Sequence, residues 1–172
     1  GFLAEVCRRW EASTHAAQTV GIRTVHMRGG LVLSPSGGSL RTLLTLFNLG
    51  LGGRIGSGRQ YLSWIDLDDH TGMILHAMSE REVHGPLNST SPNPLTNSTF
   101  TNVLGRVLRR PTLLPVPAVA LRVLLGEMGV ELLLSGQRVI PEKAIRTGYQ
   151  FFSPNLEDSL RHQLGRMEGG NK

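Results

Sequence analysis

The sequence predicts an α/β fold with a helical appendage. Helix-period and strand-period segments alternate through the first 95 residues, and the last third is a run of short helices separated by proline and glycine. Only two segments carry a clear strand pattern, too few for a stable open sheet by themselves.

Taken in order, Leu3, Val6, Cys7 and Trp10 repeat at helical spacing, with Glu5 and Arg9 one turn apart on the outer side. Gly21 is expected to end that helix. Ile22 to Arg28 alternates apolar and polar, as a strand does. Gly29 to Pro35 leaves the strand, Ser36-Gly37-Gly38 makes a turn, and Leu40, Leu43, Leu44 and Phe47 mark a second helix. A glycine-rich run from Gly50 to Gly58 follows. It contains Gly56-x-Gly58 without the full dinucleotide fingerprint, and an extended stretch from Gln60 to Leu67 comes after it, not a helix. Its amides are therefore not at a helix N-terminus, and a turn or hairpin is expected in preference to a phosphate cradle.

Asp68-Asp69 stands where a helix cap belongs, before Met73, Ile74, Ala77 and Met78. Capping is the expected role, with acid–base chemistry the alternative. His84 to Asn88 reads as a second strand and Ser91 to Leu95 as a rigid loop. Thr96 caps a helix carrying Phe100, Val103, Leu104, Val107 and Leu108 on one face, and Pro111 stops it. Pro117 opens the next segment, Gly136 closes another, Pro141 to Gly148 forms a short helical turn, and Ser153-Pro154 starts a last helix through Leu156, Leu160 and Leu164.

Bulk properties narrow the function classes. The 172 residues carry a net charge of +5, with 40% hydrophobic and 18% charged residues, which fits one soluble globular domain. The arginines are scattered and no nucleic-acid-reading motif accompanies them, so nucleic acid is not an expected partner. Cys7 is the only cysteine, so no internal disulfide forms. No apolar run reaches the roughly 18 residues a membrane span needs, and no signal peptide is recognised, so a cytoplasmic protein is expected.

Catalytic constellations are missing from the residues themselves. The six histidines fall into no metal-ligand spacing. There is no G-x-S-x-G, no P-loop, and no tyrosine followed four residues later by lysine; Ile65 and Ser153 occupy those positions after Tyr61 and Tyr149.

Six stretches nevertheless resemble one family: Arg28 to Pro35, Leu49 to Gly58, Trp64 to Asp69, Leu87 to Pro94, Leu114 to Pro117 and Gly136 to Pro141. In combination they are similar to the epimerase-like branch of the extended short-chain dehydrogenase/reductase superfamily, over residues 1 to about 164. That resemblance implies late elements of a Rossmann-type NAD(P)-binding fold plus a mostly helical C-terminal subdomain that covers the substrate. Residues 1–35 would hold the late helix and strand, 36–67 a substrate-side insertion with the glycine-rich hairpin, and 68–95 a helix and the last strand. Residues 96–168 would form the helical domain, one of unknown function in its last fifty or so residues, and 169–172 a tail.

In the family a glycine-rich turn grips the cofactor and a tyrosine relays the proton. The resemblance implies that both would lie before Gly1. The 172 residues are thus expected to bind neither NAD nor NADP tightly and to be inactive alone. Gly29 and Gly30 would approach the nicotinamide with their backbone. Ser34, Ser39, Leu43, Phe47, Arg59 and Gln60 are candidates for the wall of a small-molecule substrate pocket, with core packing the stronger expectation for Leu43 and Phe47. Where nucleotide-sugar relatives carry an asparagine and a diphosphate-binding arginine, this chain has Leu31 and Leu62, which offer a phosphate neither hydrogen bond nor charge. Arg54 or Arg59 would have to compensate. The alternative expectation is a non-catalytic interaction module that self-associates through an exposed sheet edge.

Overall fold

A computed structural model describes residues 2–113, 115–116 and 136–166. The helical segments expected between Pro117 and Gly136 fall on residues 117–135, which lie outside the described residues, as do the residues after 166.

Helix α1 (Phe2–Ala12) carries Glu5 in its first turn, paired with Arg8 at 2.7 Å and Arg9 at 2.9 Å. It stops before Gly21. Ser13 and Thr14 turn their hydroxyls back onto the carbonyls of Trp10 and Glu11, and a separate short helix, α2 (His15–Thr19), follows. Serine and threonine compete for backbone groups in this way and so break helices. Gly21 closes α2 at φ 80°.

Strand β1 (Val25–Gly29) is expected from its alternation. The next strand, β2 (Leu31–Leu33), falls where the chain was expected to leave the sheet. After α3 (Gly38–Asn48) and the glycine-rich loop come β3 (Tyr61–Leu62) and β4 (Trp64–Asp66), which occupy the extended stretch. Helix α4 (Leu67–Ser79) leads to β5 (Gly85–Ser89), and β6 (Leu95–Thr96) precedes α5 (Asn97–Leu108). The described chain ends with α6 (Glu142–Arg146) and α7 (Leu156–Gln163).

Pairing explains how two recognisable strands suffice. β1 runs parallel to β5, from Val25 opposite Gly85 to Gly29 opposite Ser89. β2 runs parallel to β4, and β3 pairs antiparallel with β6. Between the first two ladders Gly30 donates to the Ser89 carbonyl at 3.0 Å and Leu31 to the Ser63 carbonyl at 2.7 Å. The chain from Val25 to Leu33 is therefore handed from β5 to β4 without losing its backbone partners.

Two apolar clusters form the core. The larger joins Leu33, Leu40, Leu46 and Trp64 to Phe100, Leu104 and Leu160, so the strands, α3, α5 and α7 share one interior. The smaller packs Met73 and Ala77 of α4 and Ala144 of α6 against Ile65, Val83 and Leu87. Each fully buried large side chain here is worth about 3–5 kcal/mol on truncation to alanine.

Caps set the helix starts, and two differ from expectation. Asp66, not the Asp68-Asp69 pair, caps α4, accepting from the Asp68 amide at 2.8 Å. Asn155, beyond Ser153-Pro154, caps α7 by accepting from the amides of Glu157 and Asp158. Thr96 caps α5 as its sequence predicts, and Arg109 turns the chain out of that helix at φ 56°.

Candidate functional site

Parallel strands present ligands at their carboxyl ends. Here that end is Gly29, Gly30, Ser89 and Thr90. A Cβ on Gly30 would lie 2.5 Å from the Ser63 carbonyl oxygen and 3.0 Å from the Thr90 methyl, so the chain itself fills that space. A Cβ on Gly29 would meet only the His70 ring, at 3.8 Å. The two glycines therefore differ. Gly30 is required by packing between strands, whereas Gly29 leaves a strand end free of side chain.

His70, which the sequence did not single out, stands beside Gly29 in the first turn of α4. One ring nitrogen, Nδ1, lies 2.8 Å from the Ser89 hydroxyl. Partial burial lowers its pKa below the ordinary 6.5, which favours the neutral ring. Ser63, also unforeseen, ties the next wall in place. Its hydroxyl donates to the Gln137 carbonyl at 2.7 Å and accepts from the Val139 amide at 2.9 Å. Thr90 reaches the Val139 carbonyl from the other side. No sequence pattern links positions 63 and 139, which only the fold brings together.

The expected pocket-wall residues separate. Leu43 and Phe47 are core residues, 6% and 2% exposed, so their side chains pack in the interior, the stronger of the two expectations for them. Ser34 is half-buried and accepts from the Ser36 amide in the turn before α3, and Ser39, in the first turn of α3, is also half-buried. Gln60 donates to the Ile55 carbonyl, and its own carbonyl accepts from Asn97, so it braces the glycine-rich loop. Arg59 is exposed.

The glycine-rich run is a packed loop, with no strand of its own among residues 51–60. A Cβ on Gly52 would strike the Phe47 ring at 2.4 Å, and Asn97 accepts from the Ile55 amide at 2.8 Å. The first contact accounts for the glycine at 52, and the second fastens the loop to the start of α5. Leu62 is buried at 6% and Leu31 packs against the same cluster, so both departures from the nucleotide-sugar pattern are core leucines.

Both tyrosines are engaged by neighbouring residues. The Tyr149 hydroxyl donates to the Asp69 carbonyl at 2.9 Å and lies 3.1 Å from its carboxylate. Burial and the Asp69 charge push its pKa well above the usual 10. Tyr61 is partly exposed beneath the Arg138 guanidinium, 5.6 Å from the ring centroid. Asp69 itself, 1% exposed, also accepts from the amides of Phe152 at 2.7 Å and Ser153 at 2.9 Å. It holds the 149–153 segment against α4. Among the described residues no group of three or more His, Cys, Asp or Glu side chains could hold a metal ion, and no helix is long and apolar enough to cross a membrane.

The fold with this strand end is that of the Rossmann-type NAD(P)-binding epimerases. The chain is similar to the human epimerase family protein SDR39U1, solved with NADPH, at a TM-score of 0.77 and 38% identity, over 85% of this chain and 50% of that one. It is also similar to a nucleoside-diphosphate sugar epimerase from Corynebacterium glutamicum at 0.74 and 32% identity, over 96% of this chain and 31% of that one. In sequence the chain is similar to the epimerase-like part of the short-chain dehydrogenase/reductase superfamily. It is 46% identical over 166 residues to the epimerase family protein Mb2239 of Mycobacterium bovis, covering 96% of this chain and 55% of that protein. It is 39% identical to the human SDR39U1 sequence, covering 93% and 54%. Residues 116–163 match the domain of unknown function DUF1731. The chain spans about half the length of the curated relatives it matches.

Proposed function

We propose that this chain is the substrate-covering portion of an NAD(P)-dependent epimerase or oxidoreductase acting on a sugar-like or other small hydroxyl substrate, and that the 172 residues alone do not turn over. One observation carries the reading. The chain is similar, at 38% identity, to the relative solved with NADPH, and the parallel pair β1–β5 ends in the side-chain-free Gly29.

The residues present fit one end of a dinucleotide, not the whole of it. Gly29 would let a flat ring lie against the strand end, with His70 and the Ser89 hydroxyl beside it. Gly30 would contribute backbone alone. The cofactor, when bound, supplies the hydride acceptor. This chain's part would be to present the strand end, exclude water and close over the substrate, with Ser34, Ser39, Arg59 and Gln60 as its candidate substrate contacts. Leu43 and Phe47 pack in the core. A phosphate-gripping turn and a free phenol are the components hydride chemistry needs from elsewhere.

Fluorescence titration of the purified 172 residues with NADPH and NADH tests this. Neither nucleotide is expected to bind in the micromolar range; saturable micromolar binding, or turnover of any sugar, overturns the reading.

A specific observation favours a second reading, an interaction module. Trp10, Val20 and Ile22 are 71%, 73% and 58% exposed near β1, and β1 pairs on one edge only among the described residues. Light scattering after size exclusion distinguishes it: self-association that Trp10→Asp abolishes supports this module, and a monomer at all concentrations counts against it.

A further inference from the structure

A groove of about 490 Å³ opens between β5, the 138–140 segment and α6. Its floor is Pro86, Asn88, Val139 and Ile140, and its rim carries Arg138, Lys143 and Arg146 against a single carboxylate, Glu142. Three cations facing one anion leave the groove with an excess of two positive charges. None of these side chains is used by the site at Gly29.

The walls are fixed before any ligand arrives. The Ser63 hydroxyl grips both sides of Arg138 through Gln137 and Val139, and Asn88 donates to the Ile140 carbonyl at 3.3 Å. Lys143, which also lines the groove, donates to the His84 carbonyl just before β5. Arg138 is steadied over the Tyr61 ring. Arg146 makes no ion pair among the described residues. Two guanidinium forks and an ammonium match the oxygens of a phosphate, which accepts bidentate hydrogen bonds from arginine. The volume lies in the range of small-molecule sites and exceeds what a bare phosphate fills. Glu142, an acceptor only, suits a hydroxyl on the remainder of the ligand.

We infer that this groove is a binding site for a small phosphate ester that carries hydroxyl groups. The inference does not rest on the oxidoreductase reading, because every residue of the groove belongs to this chain and is tested in it.

The experiment is a calorimetric and NMR titration of the whole chain with glycerol 3-phosphate and with inorganic phosphate. Saturable binding of glycerol 3-phosphate is expected, with amide shifts centred on residues 86–88 and 138–146. The double variant Arg138→Ala/Arg146→Ala should weaken it by about tenfold or more, since each charge-assisted contact is worth more than 1 kcal/mol. The charge-matched control Arg8→Ala/Arg9→Ala should leave it unchanged. Glu142→Gln should reduce the preference for glycerol 3-phosphate over inorganic phosphate. Equal weakening in both double variants means diffuse attraction and overturns the site. So do shifts centred elsewhere, absence of saturation, or displacement by a DNA oligonucleotide at equal phosphate concentration. Should the double variant fail to fold, the wild-type shift map alone decides.

Discussion

Asp69 is a buried carboxylate with no ion pair among the described residues, held by neutral donors converging from the 149–153 segment. Two effects oppose each other when it is neutralised. Removing a buried charge relieves desolvation, which by itself would stabilise. Against this, Asp69→Asn turns one acceptor oxygen into a donor amide. Whichever way the asparagine is turned, the Phe152 or the Ser153 amide, at 2.7 and 2.9 Å from the two carboxylate oxygens, then faces an N–H. A buried amide left unsatisfied costs about 1–3 kcal/mol, and the surviving bonds lose their charge assistance. The second effect wins because three donors and no acceptors point at this side chain. We expect a loss of about 2–4 kcal/mol for Asp69→Asn and slightly more for Asp69→Ala, from a total of roughly 5–15 kcal/mol. Tyr149→Phe removes only the hydroxyl and should cost about 1 kcal/mol. Urea unfolding followed by circular dichroism and tryptophan fluorescence measures all three. In heat the asparagine variant should melt about 5–15 °C lower. If Asp69→Asn unfolds within about 0.5 kcal/mol of the wild type, the convergence of donors does not stabilise this junction and the reasoning fails.

Three further outcomes follow from the contacts described. Arg23 donates to the carbonyls of Ala77 at 2.7 Å, Val83 at 2.7 Å and Met78 at 3.0 Å, closing the end of α4. Arg23→Ala should therefore cost about 2–3 kcal/mol in the same urea assay. Gly30→Ala places a methyl 2.5 Å from a backbone oxygen that cannot yield, and should destabilise by about 2–4 kcal/mol, whereas Gly29→Ala should stay within about 1 kcal/mol. Equal losses in the two would refute the distinction drawn between them. His70 has its folded pKa below the unfolded 6.5, so the unfolded state binds the proton more readily. Its contribution is complete above pH 6.5, and stability falls as pH drops from there through the folded value. Stability measured between pH 4.5 and 7.5 should lose part of its acid-side slope in His70→Asn.

Local signals were legible where one residue decides the structure. Thr96 announced its helix because a hydroxyl three residues before an amide is a complete cap, and the alternation from Ile22 to Arg28 announced β1. Short strands such as β2 and β6 went unseen because three or two residues carry no period; their partners in β4 and β3 define them. Ser13 and Thr14 broke a helix whose apolar spacing continued past them. At the site, the glycine pair was visible as a motif. His70, Ser89 and Ser63 were not, because their meaning comes from neighbours 19 to 76 positions away in the chain. Leu43 and Phe47 lay in a helix whose inward face the sequence could mark but whose far side, core or cavity, only packing decides.

The handover at Gly30 has a mechanical consequence. A chain that exchanges one partner strand for another across a single residue, with an amide bonded on either side of the switch, transmits tension instead of bending. The 29–31 junction is thus a poor place for a hinge. The Ser91 amide, bonded to the Trp64 carbonyl at 2.6 Å, ties the chain leaving β5 directly to β4, so the two ladders cannot part without losing that bond and should exchange amide hydrogens as one cooperative block.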